Sequence, residues 1–230
     1  MLHAGFLAQA CKTRAALAGS SHTVEIRLQG RRSARDKVGV LTKANRTMAA
    51  NTPISAKKIA ALVTDGFEQA ELTGPKEALE AAGAQVRILA PKGGSVQGFH
   101  HTDKADSFPV DGTIADARPE DFDALLLPGG VQNADALRVD EDARAFAKAI
   151  AAQGKPIAVI CHGPWLLIDA GLVQGRTMTS WPSLKVDLSN AGAHWVDAQV
   201  HVDQQLISSR KPDDIPAFNE QFLKVLGAGT

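Results

Sequence analysis

Tyrosine is absent from this chain, cysteine occurs twice, and aromatic residues fill only 5% of its 230 positions. So few thiols cannot build a disulfide framework, and Cys11 stands far from Cys161, so the fold must rest on its apolar core. No apolar run reaches the roughly 18 residues that a membrane span requires, which argues against a membrane partner. Net charge is missing too, 25 Lys and Arg balancing 25 Asp and Glu. The balance is uneven along the chain. Nine of the basic and two of the acidic residues fall within the first 47, so residues 48–230 carry 16 basic and 23 acidic groups. A mildly acidic domain with no basic face argues against a nucleic-acid partner. The composition calls for no metal and no cofactor, and the expected setting is cytoplasmic.

What is present divides into two parts. Residues 1–55 are expected to form an N-terminal tail, and residues 56–230 an α/β domain. The tail contains Arg and Ser and few acids, as organellar transit peptides do. The plainer expectation is that translation starts at Met48, followed by the ordinary short N-terminus Ala49-Ala50-Asn51-Thr52-Pro53.

From Lys58 onward strands and helices alternate. Ile59–Val63, Val86–Ala90, Ala124–Leu127 and Pro156–Ile160 are continuous apolar runs, as in strands covered on both faces. Helices are expected over 72–82, 140–153, 165–170, 183–191 and 213–226, several closed by glycine. Residues 92–112 are rich in Gly, Ser, His and Asp and read as a hairpin or excursion; a second hairpin is expected around Asp203-Gln204. Repeated βα units imply a largely parallel sheet covered by helices, with the ligand site at the carboxyl ends of the strands.

Three segments meet at that rim. Cys161 follows an apolar strand and precedes His162-Gly163-Pro164 and a helix, the arrangement of a nucleophile elbow with a thiol in place of a hydroxyl. Amides at the next helix start favour an anion, so the thiol is expected to be acidic and reactive. His162 is the adjacent base, although neighbouring side chains at an elbow often diverge. Gly129 and Gly130 end another strand, where bare backbone can approach a ligand and present amides to an oxyanion. Glu68 and Glu71 follow the first strand. Either carboxylate could exchange a proton with the thiol; Glu71 reads as a solvated acid at a helix start, and Glu68, directly after Phe67, as the inward-facing one.

The runs Phe67-Glu68-Gln69-Ala70-Glu71-Leu72, Leu126-Leu127-Pro128-Gly129-Gly130 and Ile160-Cys161-His162-Gly163-Pro164-Trp165 resemble the PfpI family of intracellular cysteine peptidases. Thr179-Ser180-Trp181-Pro182 and Ala191 to Asp197 resemble it as well. That family belongs to the class I glutamine-amidotransferase-like superfamily, and the likeness spans about residues 57–226. The resemblance implies a flavodoxin-like three-layer sandwich with a largely parallel central sheet. It implies Cys161 as nucleophile, Glu68 bonded to its thiolate, His162 as base, and an oxyanion and substrate pocket around Gly129, Gly130 and Gly163, with the amide of His162. It also implies an acid from a neighbouring subunit, for which Asp135 is the candidate, and hence a homo-oligomer, dimer or larger, with the site at the subunit interface. The implied activity is a stress-related cysteine hydrolase acting on peptides or glycated protein. The alternatives are an oxidation-sensing thiol and a cofactor-independent glyoxalase or hydratase.

Overall fold

The computed structural model of the chain describes residues 54–227; the expectations for residues 1–53 lie outside the described residues. In chain order the elements are β1 (Lys58–Leu62), β2 (Phe67–Glu68), α1 (Gln69–Ala81), β3 (Gln85–Ala90), β4 (Ser95–His100), β5 (Asp103–Pro109) and β6 (Gly112–Thr113). Then come β7 (Ala124–Leu127), α2 (Val131–Val139), α3 (Glu141–Ala152), β8 (Ile157–Ile160), α4 (Pro164–Asp169) and β9 (Thr177–Met178). The last are α5 (Lys185–Asn190), β10 (His194–Trp195), β11 (Val200–Asp203), β12 (Leu206–Ser209) and α6 (Ile215–Gly227).

Seven strands form the central sheet in the order β11-β12-β8-β7-β1-β3-β6, all parallel except β11, which runs against β12. β7, β8 and β12 are buried along their whole lengths, and β1 beyond Lys58, because helices cover both faces of the sheet. The strand period of two sorts the core. Ile59, Ala61, Leu126 and Ile160 pack with Leu72 and Leu79 of α1 and Phe218 and Phe222 of α6. Ala60, Leu62, Leu125 and Val159 face the other way, onto Leu137 of α2, Phe146 and Ile150 of α3, Leu167 of α4 and Leu188 of α5. The result is the flavodoxin-like three-layer sandwich expected. None of the helices among the described residues is long and apolar enough to cross a membrane.

Two differences from the sequence reading bear on the site. The single helix expected over 140–153 is preceded by a separate one, α2, running straight out of the Gly129-Gly130 turn. Asp140 divides the pair: its backbone is extended, and its carboxylate accepts the Ala143 amide at 2.8 Å, capping α3. The 92–112 excursion is the β4–β5 hairpin, whose tip carries His101 at φ +57°. β2 pairs in parallel with β4 and so places that tip next to Glu68.

Candidate active site

β1, β7 and β8 end at the same rim, and the loops beyond them enclose a cavity of about 130 Å³. Its floor holds Glu71, Gly130, Cys161 and His162, and its rim Glu68, His101, Val131, Trp181 and Pro212. Cys161 sits at φ +61°, a left-handed backbone that costs a residue with a side chain about 1–2 kcal/mol. The turn is held open-ended by its neighbours: the Cys161 amide donates to the Ser209 carbonyl at 3.1 Å, and the Trp181 amide donates to the Cys161 carbonyl at 3.0 Å. Strain so pinned aims the side chain into the cavity, where Cys161 is 7% exposed.

Glycines make room for this. A Cβ on Gly129 would stand 2.6 Å from Glu71 Oε2 and 2.7 Å from Cys161 Cβ, and one on Gly163 would stand 2.7 Å from the Leu127 carbonyl oxygen. Gly130, at φ +85°, opens α2 and points its amide at the sulfur, as does His162. These two amides are the backbone donors at the sulfur. Gly129 and Gly163 do not contribute donors. The Gly129 amide is spent on Glu71 Oε2 at 2.7 Å, and the Gly163 amide on the Ile160 carbonyl at 3.0 Å. Their part is to admit the close approach.

The carboxyl group beside the sulfur is Glu71, a correction to the expectation for Glu68. β2 holds Glu68 in the sheet with β4, so its carboxylate turns to the hairpin tip, where Oε2 accepts the His101 amide at 2.9 Å. Glu71 lies in the first turn of α1, on the side of the helix that also buries Leu72, Pro75 and Leu79, and it is fully buried. Burial pushes its carboxyl up to about 8, against the pull of the Gly129 amide and the Cys161 thiol. Oε1 has no hydrogen-bond partner among the described residues. At neutral pH Glu71 therefore holds a proton next to the sulfur.

The thiol itself departs from expectation. Burial pushes Cys161 up, as does Glu71 once it has lost its own proton above about pH 8, and together they outweigh the Gly130 and His162 amides that pull the thiol down. α4 is only six residues long and adds little dipole at this point. A thiolate forms here only if a neighbour takes the proton. His162 is placed for that: Nδ1 lies 3.2 Å from the sulfur, and burial lowers the imidazole, so it is neutral and able to accept. The ring stacks on Trp181 at 5.9 Å and meets Trp165 edge-on at 5.3 Å between centroids. Its Nε2 lies 3.5 Å from Ser183 Oγ, and no carboxylate of the described residues pairs with it. Asp135 is exposed on α2 and does not join the cavity of its own chain.

Sequence reading missed Asn133. Buried in α2, it accepts the Thr64 amide at 2.7 Å and donates to the carbonyls of Pro128 and Gly129 at 3.2 and 2.9 Å, tying the loop after β1 to the glycine turn. Among the described residues no three His, Cys, Asp or Glu side chains are grouped to hold a metal ion.

A family model described as DJ-1/PfpI matches residues 57–225. The chain belongs to the DJ-1/PfpI family. A putative cysteine protease, YraA, of Bacillus subtilis (strain 168) is 44% identical over 171 residues, 74% of this chain and 99% of the relative. Protein/nucleic acid deglycase 2 of Escherichia coli (strain K12) is 43% identical over 174 residues, 75% of this chain and 99% of the relative. The crystal structure of Drosophila melanogaster DJ-1beta superposes with a TM-score of 0.68 at 27% identity, covering 75% of this chain and 91% of that one. As a family member the chain places its Cys-His pair, a buried Glu and a glycine turn at one sheet rim.

Proposed function

We propose that the protein is a cysteine-dependent hydrolase that removes carbonyl-derived adducts from amines, with Cys161 as nucleophile. The observation that carries the reading is the strained sulfur facing His162 Nδ1 at 3.2 Å, with the amides of Gly130 and His162 aimed at it. His162 takes the thiol proton as sulfur adds to an electrophilic carbon, and the imidazolium returns it to the departing nitrogen. Oxygen that gains charge on the way is met by the two amides, and Glu71 supplies or takes a second proton. Water then frees the carbon fragment. A cavity of about 130 Å³ is smaller than the roughly 300 Å³ at which ordinary ligand pockets begin. That size favours a short carbon fragment over the stretch of peptide a general peptidase must seat. The relative named as a deglycase agrees with this choice, and the one named as a cysteine protease supplies the competing one. The setting proposed is cytoplasmic.

The unpartnered Oε1 of Glu71 favours a second reading, in which Cys161 is oxidised and the protonated carboxyl donates to the new sulfur-bound oxygen. Purified protein incubated with a glyoxal-modified arginine peptide, an unmodified fluorogenic peptide and mild peroxide separates the three. Release of the unmodified arginine peptide, with no cleavage of the fluorogenic one, supports the hydrolase; cleavage of the fluorogenic peptide alone defeats it, and a stable gain of two oxygens without turnover points to the sensor.

The same reading includes a second copy of this chain over the cavity. Val131 and Trp181, 56% and 38% exposed, are apolar rim residues, and Asp135 stands one turn beyond Val131 on α2. Asp135 of the partner would then fix the His162 imidazole. Asp135→Asn should lower turnover about tenfold or more while leaving the thiol accessible. A fully active monomer by light scattering refutes the shared site.

A further inference from the structure

Among the described residues, the cavity around Cys161 has no lysine or arginine in its walls; its ionisable groups are Glu68, Glu71, Cys161, His101 and His162. Glu71 is fully buried at the floor of the cavity, whereas Glu68 stands at its mouth and is the acidic side chain that an arriving molecule meets first. Glu68 is 12% exposed at the side chain and hydrogen-bonds the His101 amide at 2.9 Å. The imidazoles of His100 and His101 approach it only to 4.0 and 3.9 Å, and both point largely into solvent. Beyond them, Lys211 is already paired with Asp213 at 2.9 Å. Glu68 thus has acceptor capacity left over, at the mouth of a small cavity whose floor carries the unpartnered Oε1 of Glu71.

We propose that Glu68 is a specificity-determining residue, selecting electrophiles that carry an amine or guanidine group over anionic carbonyl compounds such as 2-oxo acids. The inference rests on the hydrolase reading of Cys161 and names its substrate class: a carbon fragment seated at the sulfur while the nitrogen end, cationic in an arginine adduct, is held at the rim by Glu68. A carboxylate a few ångströms from a charged group in a partly screened cleft changes its local concentration by about tenfold. An anion meets the same factor as a penalty.

The plain alternative is that Glu68 only pins the hairpin tip through the His101 amide. Glu68→Gln separates the two, because the amide oxygen keeps that hydrogen bond and removes only the charge. The probe is a set of three methanethiosulfonates, ammonioethyl, methyl and sulfonatoethyl, reacted at low salt with protein carrying Cys11→Ser. Cys161 displaces methanesulfinate and forms a mixed disulfide, read by intact mass. The expected result is a cation-to-anion rate ratio of about ten or more, falling at least fivefold in Glu68→Gln, with the neutral reagent changed less than twofold. A ratio that Glu68→Gln leaves unaltered, or a neutral rate that falls in parallel, overturns the proposal. The readout needs no turnover, so it stands apart from the hydrolase reading. If the arginine adduct is turned over, Glu68→Gln should raise its KM about tenfold and leave a neutral cysteine adduct unchanged.

Discussion

Glu71→Gln should abolish a pH dependence of stability that the buried carboxyl imposes on the native protein. Its carboxyl is moved from 4.5 to about 8, so between those values the folded state holds a proton that the unfolded state has released. Stability must then fall as pH rises through that window and level off above it. At about 1.4 kcal/mol per pH unit, the loss between pH 6.5 and pH 8.5 is about 2 kcal/mol. Those limits isolate the group. His162 is lowered from 6.5, so its contribution falls away mainly below that value and offsets at most about 0.4 kcal/mol at the acid end of the window; Cys161 is raised from 9.0 and acts mainly above it. Urea unfolding across the window, followed by tryptophan fluorescence, should give the sloping profile for the native protein and a flat one for Glu71→Gln. Glutamine can still accept the Gly129 amide now bonded to Oε2 at 2.7 Å. A native profile flat to within about 0.5 kcal/mol, or an equal slope in the variant, would show that Glu71 is not protonated in the folded state.

Other substitutions probe the frame. Gly129→Ala forces a Cβ to 2.6 Å from Glu71 Oε2 and 2.7 Å from Cys161 Cβ, and should cost about 1–3 kcal/mol by urea melt, with activity falling more steeply than stability. Asn133→Ala strands the Thr64 amide and two carbonyls and should lower stability by about 2–4 kcal/mol; a loss below about 0.5 kcal/mol would show that the rim does not depend on this side chain.

Much of this was legible in the sequence because apolar runs in a parallel sheet are continuous. Ala124–Leu127 and Ile157–Ile160 read as buried strands and are, and the elbow after Ile160 follows from an abrupt strand end with Gly163-Pro164 behind it. The local sequence favours Glu68 as the carboxyl at the sulfur, whereas the fold puts Glu71 there. The signal lay in α1: Leu72, Pro75 and Leu79 mark its buried side, and Glu71 is one turn before Pro75, whereas Glu68 belongs to a strand that pairs far along the chain. The acidity of Cys161 is not legible in the sequence, because helix length and burial, not sequence order, set the local field; six residues of α4 do not offset enclosure. Asn133 carried no sequence signal, since its partners are backbone groups of two loops brought together only by the fold.

In the proposed hydrolase the Cys161 sulfur bonds to the substrate carbon. Acid-quenched mixtures of protein and excess glyoxal-modified arginine peptide, analysed by intact and peptide mass, test it directly. The expected result is a carbon fragment on Cys161 within the first turnover, with Cys161→Ala folded but at least about a thousandfold slower. Turnover with no mass gained at Cys161, and more than about a tenth of the activity left in Cys161→Ala, would contradict it.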